Sequence, residues 1–418
     1  MGQNKDENSI AAIDVGTSKT IVIVGQVQEG MIQIVGIGKA PNSGLRRGTV
    51  SDVEETVSSI SAAIEEAERS SGFAIESCYA AIGGNQVISV DSKGIVAISR
   101  ADGEITPPDV ERVLEAAQSV ALPPNFEILH TIAKFYAVDG QTGIKDPIGM
   151  SGIRLEANAH IVGVSMLAIK NLTKAITQTG LGIDGIVFSP LASAKAFLNK
   201  RQMEMGVILV DIGAASTSIA VFEEGTLIHS KVIPIGSNHI TNDIAIGLKI
   251  SLEGAEKLKT EVVNVDIASV KESEKVDLSK FERHEKEKPT RRYICEIAEA
   301  RMNEILSAVK QELSDIERDE MLPAGAVLVG GGSRLEGVIP MTKKVLGLPV
   351  QDGIPVYEVS GLIDKVDDPS YATAVGLMLW GLDESTANVS NKGRMSFNFG
   401  NVGGAIGKVK DIFKNFLP

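Results

Sequence analysis

The chain has 418 residues, of which 43% are hydrophobic and 23% charged, and its formal net charge is −13. This length exceeds what one core supports and predicts two to four domains or subdomains, while the negative charge argues against nucleic acid as a main partner. The first residues lack the apolar core of a secretory signal, no apolar stretch is long enough to span a bilayer, and the two cysteines form no metal or disulfide motif, so we expect a cytoplasmic protein.

The first predicted elements are three strands and a helix. The strands are predicted from apolar runs over residues 9–15, 20–27 and 31–37. Ser51 to Glu54 has the pattern of a capping box at the start of the helix. Asp14-x-Gly16 stands at the turn between the first two strands, where it can present a metal-binding carboxylate beside glycine-loosened backbone N–H groups.

Residues 83–162 interrupt this pattern and predict a small inserted α/β subdomain. Its predicted elements are a strand within residues 86–99, a helix that starts at Pro107 or Pro108, and strands near residues 127–138 and 153–164.

The opening order of elements returns after Gly206. Strands are predicted over residues 207–212, 217–222 and 226–235, followed by a helix over residues 240–248. Asp211-x-Gly213 occupies the turn between the first two of these strands. Two such hairpins, one per lobe, can bind a phosphate chain from both sides while each Asp holds a hydrated cation. Residues 328–334, a strand running into three glycines, add a backbone surface that can lie against a purine or ribose.

A second insertion, residues 249–317, follows this repeat. It combines a charge-dense run from Lys271 to Lys288, typical of a solvated surface, with a helix predicted from about Thr290 to Ile316.

The end of the chain divides into two segments. Residues 384–404 are rich in Ser, Asn and Gly and predict a flexible linker. Residues 405–418 predict an amphipathic helix that binds an anionic membrane surface, the alternative being a terminal helix that packs back on the body. Its apolar stripe is Ile406, Val409, Ile412, Phe413, Phe416 and Leu417, and its basic residues are Lys408, Lys410 and Lys414.

With two matching hairpins and a duplicated lobe, the chain resembles the actin, Hsp70 and sugar-kinase superfamily. Within it, the chain is similar to the FtsA family of bacterial cell-division proteins. That similarity rests on residues 130–156, which include Val138-Asp139-Gly140-Gln141-Thr142-Gly143, and on residues 232–245. It covers nearly the whole chain, including the tail helix.

The resemblance implies a two-lobed, actin-like (ribonuclease-H-like) α/β fold in which residues 83–162 form an SHS2-like subdomain that mediates filament contacts. The remaining implied units are a lobe 1 core of residues 1–82, completed by 163–200 and about 353–383; a lobe 2 core of residues 201–242, completed by 318–352; and a subdomain of residues 243–317.

The resemblance also implies a function in cell division. A protein of this family polymerises on the cytoplasmic side of the inner membrane at the division site, ties the FtsZ ring to that membrane, and recruits later division proteins. The FtsZ C-terminal tail would dock on residues 243–317, where Arg301 stands at the position of a basic docking residue.

Carried over position by position, the resemblance implies an ATP and Mg²⁺ site. Asp14 and Asp211 would hold Mg²⁺ through water, and Lys19 would place a positive charge against the β-phosphate. Glu256 and Lys259 would face the ribose and base, whereas without the resemblance they would be a routine surface ion pair. The other implied binding residues are Gly16, Thr17, Ser18, Gly213, Ala214, Ala215, Ser216, Gly236, Gly331, Gly332, Ser333 and Arg334.

The segment Ile132-Ala133-Lys134-Phe135 of the inserted subdomain departs from the family pattern, in which Pro and Gln are usual. Three further departures lie at the implied nucleotide site. Ala214 and Ala215 replace the glycines that relatives often have in the second turn, and Ser218 stands where many have Asp. Ser189 stands where many have a Gln or Glu able to orient water. Because hydrolysis needs a positioned nucleophile, we expect ATP binding with slow or negligible hydrolysis and assign no catalytic residue.

Two alternatives stay open at this point. A pilus-assembly scaffold of the PilM type shares the fold and the inserted module but lacks the membrane helix. A small-molecule kinase of the same superfamily would need a general base in an open substrate cleft, and no third carboxylate stands out for that role.

Overall fold

A computed structural model of the chain describes residues 9–28, 31–100, 102–283, 285–357 and 359–390. The described strands are β1 (Ser9–Val15), β2 (Lys19–Gln28), β3 (Met31–Pro41), β4 (Leu45–Arg46), β5 (Thr49–Val50), β6 (Ser77–Ile82), β7 (Val87–Ala97), β8 (Phe126–Val138), β9 (Gln141–Ile144), β10 (Arg154–Ser165), β11 (Gly182–Phe188), β12 (Val207–Ile212), β13 (Thr217–Glu223), β14 (Thr226–Ile233), β15 (Gly325–Val329), β16 (Val350–Asp352) and β17 (Val359–Gly361).

The helices surround the sheets that these strands form. They are α1 (Val53–Ser71), α2 (Pro107–Ala117), α3 (Met166–Thr177), α4 (Ser189–Phe197), α5 (Lys200–Met205), α6 (Ser237–Leu248), α7 (Leu252–Glu261), α8 (Arg291–Asp315), α9 (Val338–Leu346), α10 (Ile363–Val366) and α11 (Ala372–Ser390).

Lobe 1 is built on a sheet with the strand order β11-β6-β1-β2-β3-β17. Strands β1, β2 and β3 form the predicted antiparallel meander, and β6 runs parallel to β1. Helix α1 packs so closely on β3 that a Cβ on Gly38 would come within 1.8 Å of the Ala63 carbonyl oxygen. Helix α11 packs on β1 and β2.

Lobe 2 repeats this arrangement. Its sheet has the order β14-β13-β12-β15-β16, which matches β3-β2-β1-β6-β11 strand for strand. In lobe 2, β12, β13 and β14 are antiparallel and β15 runs parallel to β12, just as β6 runs parallel to β1 in lobe 1. The predicted internal duplication is therefore confirmed.

The inserted subdomain consists of a sheet in the order β7-β10-β8-β9 with α2 packed on it. Helix α2 begins with two prolines and is capped by Thr106 and Asp109 in a capping box. The predicted strands and helix are present, and β9 is an additional strand that the sequence analysis did not predict.

The second insertion forms a helical subdomain around α7 and α8. Helix α8 starts after Thr290, whose side chain accepts a hydrogen bond from the Tyr293 backbone N–H. It buries a stripe of apolar side chains against lobe 2, in close agreement with the helix predicted there.

Several predicted boundaries are wrong. Strand β3 continues to Pro41, beyond its predicted end at residue 37, and α6 begins at Ser237, before its predicted start at residue 240. The cap of α1 is Asp52, which accepts from the Glu55 N–H at 3.1 Å, so the helix cap lies one residue beyond Ser51. Helix α11 continues to Ser390, so residues 384–390 of the predicted linker are helical. Residues 391–404 and the predicted membrane helix at 405–418 lie outside the described residues. Among the helices that are described, none is both long and apolar enough to cross a bilayer.

Candidate functional site

The two Asp-x-Gly hairpins adopt the same turn. The Gly16 backbone N–H donates to the Lys19 carbonyl oxygen at 3.0 Å, and the Gly213 N–H donates to the Ser216 carbonyl oxygen at 2.9 Å. A Cβ on either glycine would lie 2.9 Å from that same oxygen, too close for an ordinary contact. The local sequence thus fixes both turns in the same way.

Both turns line one cleft of about 610 Å³ between the lobes. That volume lies within the ordinary range for small-molecule and cofactor sites. Most of the predicted binding residues line it: Asp14, Gly16, Thr17, Ser18, Lys19, Asp211, Gly213, Ala214, Ala215, Ser216, Glu256, Lys259, Gly331, Gly332 and Arg334.

Two predicted residues lie behind this lining. A Cβ on Gly236 would come within 2.6 Å of the Ser216 backbone nitrogen and 2.7 Å of the Ala214 carbonyl oxygen, so Gly236 supports the second turn from its back. Ser333 is buried, and its hydroxyl donates to the Gly330 carbonyl oxygen at 2.8 Å. Both residues therefore shape the site without lining it.

Asp14 and Asp211 form an acidic pair that lines the cleft, and each side chain is only partly shielded from solvent. Burial raises the pKa of Asp14 to about 7, with the Asp211 charge adding to the effect and Lys19 opposing it. Burial also raises the pKa of Asp211 to about 6, against the hydrogen bond from Ser193 and the Lys19 charge. A cation bound between them would offset this cost and favour both ionised forms.

The donor set fits Mg²⁺ held together with phosphates. Among the described residues, no group of three or more His, Cys, Asp or Glu side chains could hold a metal by itself. Mg²⁺ commonly keeps several waters and binds through one or two carboxylates plus substrate phosphates. Asp14 and Asp211 supply such a partial set.

Two hydroxyl groups that the sequence analysis missed hold Asp211 from the other lobe. Ser193, on α4, donates to the Asp211 carboxylate at 3.2 Å, and its oxygen lies 3.0 Å from the Thr373 hydroxyl at the start of α11. Both hydroxyl groups are buried. A sequence signal existed, because each is a polar residue between two alanines in a helical segment rich in apolar residues.

Lys19 stands at the first turn without a carboxylate partner among the described residues. Its ammonium donates to the Ser370 hydroxyl at 2.8 Å and lies 5.3 Å from the centre of the Tyr371 ring. The pKa of Lys19 is lowered to about 8, chiefly by burial and then by the charge of Lys39. A partly buried cation of this kind is suited to binding an anion.

On the lobe 2 side, Glu256 and Lys259 form more than a surface ion pair. Lys259 is buried, and its ammonium lies 2.7 Å from the Glu256 carboxylate and 2.9 Å from the Thr241 hydroxyl. This network fixes both side chains at the cleft wall. Arg334 faces them from the glycine-rich strand end and is paired with Asp368 at 2.7 Å.

The predicted docking residue Arg301 lies away from the cleft, on α8. It makes two hydrogen bonds to Asp243 of α6, at 2.6 and 3.2 Å, and is also paired with Glu304. Beside this pair, Ile246 and Tyr293 are exposed at 75% and 45% of their surfaces.

Comparisons with known proteins agree with these features. Residues 208–376 match the family model described as "Cell division protein FtsA", and residues 84–163 match "SHS2 domain inserted in FTSA". The chain is 40% identical to the Cell division protein FtsA of Pseudomonas aeruginosa over 382 residues, covering 91% of each chain. It is 38% identical to the Bacillus subtilis protein of that name, covering 88% of this chain and 82% of the relative. It is 34% identical to the Escherichia coli K12 protein of that name, covering 90% of this chain and 91% of the relative.

Solved structures show the same fold at low sequence identity. The "PilM-PilN type IV pilus biogenesis complex" matches with a TM-score of 0.67 and 17% identity, covering 89% of this chain and 98% of that one. MreB5 of Spiroplasma citri, whose crystal structure is described as bound to AMPPNP, matches with a TM-score of 0.56 and 12% identity, covering 93% and 99%. The actin-like fold, with its inserted SHS2 domain, is thereby confirmed.

Proposed function

Because the chain belongs to the FtsA family of bacterial cell division proteins, we propose that it binds Mg·ATP and links the FtsZ ring to the cytoplasmic membrane. The observation that supports nucleotide binding most directly is the pair of matching glycine turns on one cleft, each with a partly buried carboxylate. The alternative of a pilus scaffold rests only on fold similarity at 17% identity.

Different residues of the chain have different proposed roles within the cleft. The two turns donate backbone N–H groups to the phosphates, while Asp14 and Asp211 hold the hydrated cation. The Glu256 and Lys259 pair faces the ribose and base, and Gly331 leaves open space against the nucleoside. When bound, Mg²⁺ neutralises part of the phosphate charge.

We propose that hydrolysis is slow. Ser189 lines the cleft at the start of α4, at the position where a longer amide or carboxylate side chain could hold a water molecule. A serine has a much shorter reach, and phosphoryl transfer to water requires a positioned nucleophile. The site is therefore suited to binding the nucleotide as a structural ligand.

The direct test of nucleotide binding is calorimetric titration of the full chain with ATP, in Mg²⁺ and again in EDTA. We expect saturable binding that requires Mg²⁺ and is lost in Asp211→Ala. Asp352→Ala, which removes an exposed carboxylate from β16, serves as the matched control. Equal heats for the wild type and Asp211→Ala would contradict the proposed site.

For the FtsZ tail, we propose docking along the strip where α6 meets α8. Tyr293, Ile297 and Arg301 follow one another at helical spacing on α8, and a Cβ on Gly247 of α6 would touch Ile297. Exposed apolar side chains next to a basic group suit a partner segment with apolar and acidic residues. Carboxylates of the tail would compete with Asp243 for Arg301.

Binding of a synthetic FtsZ C-terminal peptide, followed by fluorescence anisotropy, tests this surface. Arg301→Glu and Ile246→Asp are each expected to weaken binding at least about tenfold, since each removes a central contact. Lys343→Glu, an exposed charge reversal on α9, is the control. Unchanged affinity in both test variants would show that the peptide binds elsewhere.

The proposed membrane anchor is residues 405–418. Co-sedimentation with anionic liposomes should pellet the full chain and leave a version ending at Gly404 in the supernatant. Phe413→Asp should also release the protein, because it places a charge in the apolar stripe. Equal pelleting of all three would remove the anchor from the proposal.

Self-assembly is proposed to involve the inserted subdomain. Ile153 and Ile95 of this subdomain are exposed at 76% and 48% of their surfaces, so they offer apolar area that a contact between protomers would bury. Electron microscopy on lipid monolayers with ATP should show filaments of the wild type. Ile153→Asp should abolish the filaments if this surface joins the protomers. Recruitment of later division proteins by the filaments can then be tested in the same assembly.

A further inference from the structure

Two lysines crowd the phosphate end of the cleft on the lobe 1 side. Lys19 begins β2 and Lys39 lies near the end of β3. The strand register pairs Lys19 with Pro41 and Ile21 with Lys39, so the two lysines are diagonal neighbours on one face of the sheet. Both line the cleft.

The same aromatic ring lies beside both ammonium groups. The Lys19 nitrogen is 5.3 Å and the Lys39 nitrogen 6.0 Å from the centre of the Tyr371 ring. Within the described part of the chain, neither ammonium is in ion-pair contact with a carboxylate. Asp368, which is near enough to act on Lys19, is itself paired with Arg334.

Such an arrangement is unfavourable without an anion. Like charges held close together repel, and a cation–π contact offsets only part of that cost. The chain as a whole carries a net charge of −13, so carboxylates for neutralising surface lysines are abundant elsewhere. The Glu66 carboxylate accepts from the Lys39 backbone N–H at 2.8 Å, but neither ammonium is ion-paired with a carboxylate of the described residues. Two such cations beside a glycine turn indicate a ligand with more than one negative charge.

The two positions differ in depth. Lys19 is half-buried beside the first turn, whereas Lys39 is exposed at the rim of the cleft. A polyphosphate that contacts Lys19 with an inner phosphate therefore has its outer phosphate nearest to Lys39. We propose that Lys39 contacts the terminal phosphate and lets this chain distinguish a nucleoside triphosphate from the diphosphate. This inference rests on the proposed nucleotide site.

The expected effect is moderate because Lys39 is exposed to solvent. A charge-assisted hydrogen bond at such a position corresponds to about a five- to tenfold change in affinity after screening by salt. The preference for triphosphate should also decline as the salt concentration rises, since the contact is electrostatic.

The test compares AMPPNP and ADP, each with Mg²⁺, by calorimetric titration of the full chain. Lys39→Ala should weaken AMPPNP about five- to tenfold and ADP less than about twofold, and Lys39→Arg should retain most of the preference. Lys170→Ala, an exposed lysine on α3, is the control and should change neither affinity. Thermal melting verifies that each variant is folded.

Two results would overturn the inference in different ways. Equal weakening of both nucleotides, or of neither, would show that Lys39 does not contact the terminal phosphate, while the nucleotide site itself would stand. Failure of the wild type to bind either nucleotide would remove the proposed function and this inference together.

Discussion

Asp14 and Asp211 occupy equivalent turns but have different surroundings. Asp211 accepts a hydrogen bond from Ser193, and Thr373 also favours its ionised form. For Asp14, burial and the Asp211 charge dominate, and its pKa is the higher of the two. A partly buried carboxylate with no hydrogen-bond donor beside it among the described residues is costly in the ligand-free protein and is stabilised when a cation binds.

We predict that Asp14→Asn stabilises the ligand-free chain while preventing Mg·ATP binding. Because the pKa of Asp14 is raised from 3.8 to about 7 on folding, its ionisation opposes folding, and the free energy of unfolding falls as pH rises through this range. Removing the charge should increase that free energy by about 2–4 kcal/mol above neutral pH, and the gain should shrink toward acid pH.

Urea unfolding at several pH values, without nucleotide, measures this effect. Asp352→Asn should leave the pH dependence unchanged. An Asp14→Asn chain that is less stable than the wild type at pH values above neutral would show that the carboxylate is well solvated or paired.

The second prediction at residue scale concerns the hydroxyl groups that hold Asp211. Thr373→Val keeps the side-chain shape and removes the hydroxyl group, so it should weaken Mg·ATP binding about tenfold while affecting the Mg²⁺-free nucleotide much less. Thr342→Val is the control, since the Thr342 hydroxyl is also buried but bonds only within its own helix, to Val338. Calorimetry with and without EDTA separates the two effects. Equal loss in both conditions would indicate a purely structural role.

These residues also show which parts of the site are readable from sequence. Asp14, Gly16, Asp211 and Gly213 are predictable because each turn is a local structure with its own hydrogen bond. Ser193 and Thr373 are 180 positions apart and meet only through the packing of two helices. Lys39 was missed for a similar reason, because its proximity to Lys19 depends on strand register.

At the scale of elements, α4 and α11 cross in close contact within lobe 1. A Cβ on Gly376 would lie 1.7 Å from the Ala192 carbonyl oxygen, so the helices touch through backbone at this point. Helix α4 reaches the cleft at Ser189 and α11 at Thr373. Both helices therefore connect the lobe 1 core to the cleft.

We predict that Gly376→Ala destabilises the chain by about 3 kcal/mol or more, because the helices must separate to accept one methyl group. Gly331→Ala is the contrasting variant. It has no heavy atom within 4 Å of the added Cβ, so the fold should be retained while nucleotide binding weakens. Urea unfolding and calorimetry measure the two effects. A Gly376→Ala chain of wild-type stability would mean that the helix crossing is looser than the structure shows.

The joint between the inserted subdomain and lobe 1 should depend on pH through His130. This histidine is buried on β8, accepts a hydrogen bond from the Phe188 backbone N–H at 3.0 Å, and lies 5.8 Å from the Trp380 ring. Burial lowers its pKa from 6.5 to about 4, so the unfolded chain takes up a proton first as pH falls. Stability conferred by the neutral form is present above pH 6.5 and is lost as pH falls toward 4.

We predict that the wild type loses about 2 kcal/mol more than His130→Gln between about pH 7 and pH 5. The Gln side chain can still accept from Phe188 and does not titrate. Trp380 is the only tryptophan in the sequence, so its fluorescence follows unfolding at this joint. Parallel pH profiles for the two proteins would contradict the assignment.

Most elements were predictable because their signals are local. The meander of lobe 1, the capped helix after Thr290 and the repeat in lobe 2 each follow from periodicity and caps. Two of the boundaries that failed lie where local signals compete. Asp52 displaced Ser51 as the cap of α1, and α11 extends to Ser390 through residues whose composition favours a linker.

At the scale of the whole molecule, the inserted subdomain bridges the two lobes. It arises from lobe 1 and is bonded there through His130 and Phe188, yet its other side contacts β14 of lobe 2. At that contact, His160 lies 2.8 Å from Asp91 within the subdomain and 2.8 Å from the Ser230 hydroxyl of β14. Sequence spacing could not reveal these hydrogen bonds, because Asp91 and Ser230 are each about 70 positions from His160.

The geometry of Asp91, His160 and Ser230 is that of a hydrogen-bonded relay, but burial excludes a nucleophilic role. The Ser230 residue is fully buried, and its oxygen is also 2.8 Å from the Ser89 hydroxyl. A substrate has no path to that oxygen. The relay instead fixes the inserted subdomain to the edge strand of lobe 2, so a change in the angle between the lobes must act on it.

We therefore predict that nucleotide binding changes hydrogen exchange within β7, and that Ser230→Ala reduces this change without altering nucleotide affinity. Removing the hydroxyl deletes the link across the contact and leaves the cleft residues untouched. Ser92→Ala is the matched control, because Ser92 lies on β7 and donates to the Ala117 carbonyl oxygen within the inserted subdomain, not across the contact with lobe 2. Exchange measured by mass spectrometry, with and without Mg·ATP, should show protection in the wild type and in Ser92→Ala. Full protection in Ser230→Ala would mean that the subdomain follows lobe 1 alone.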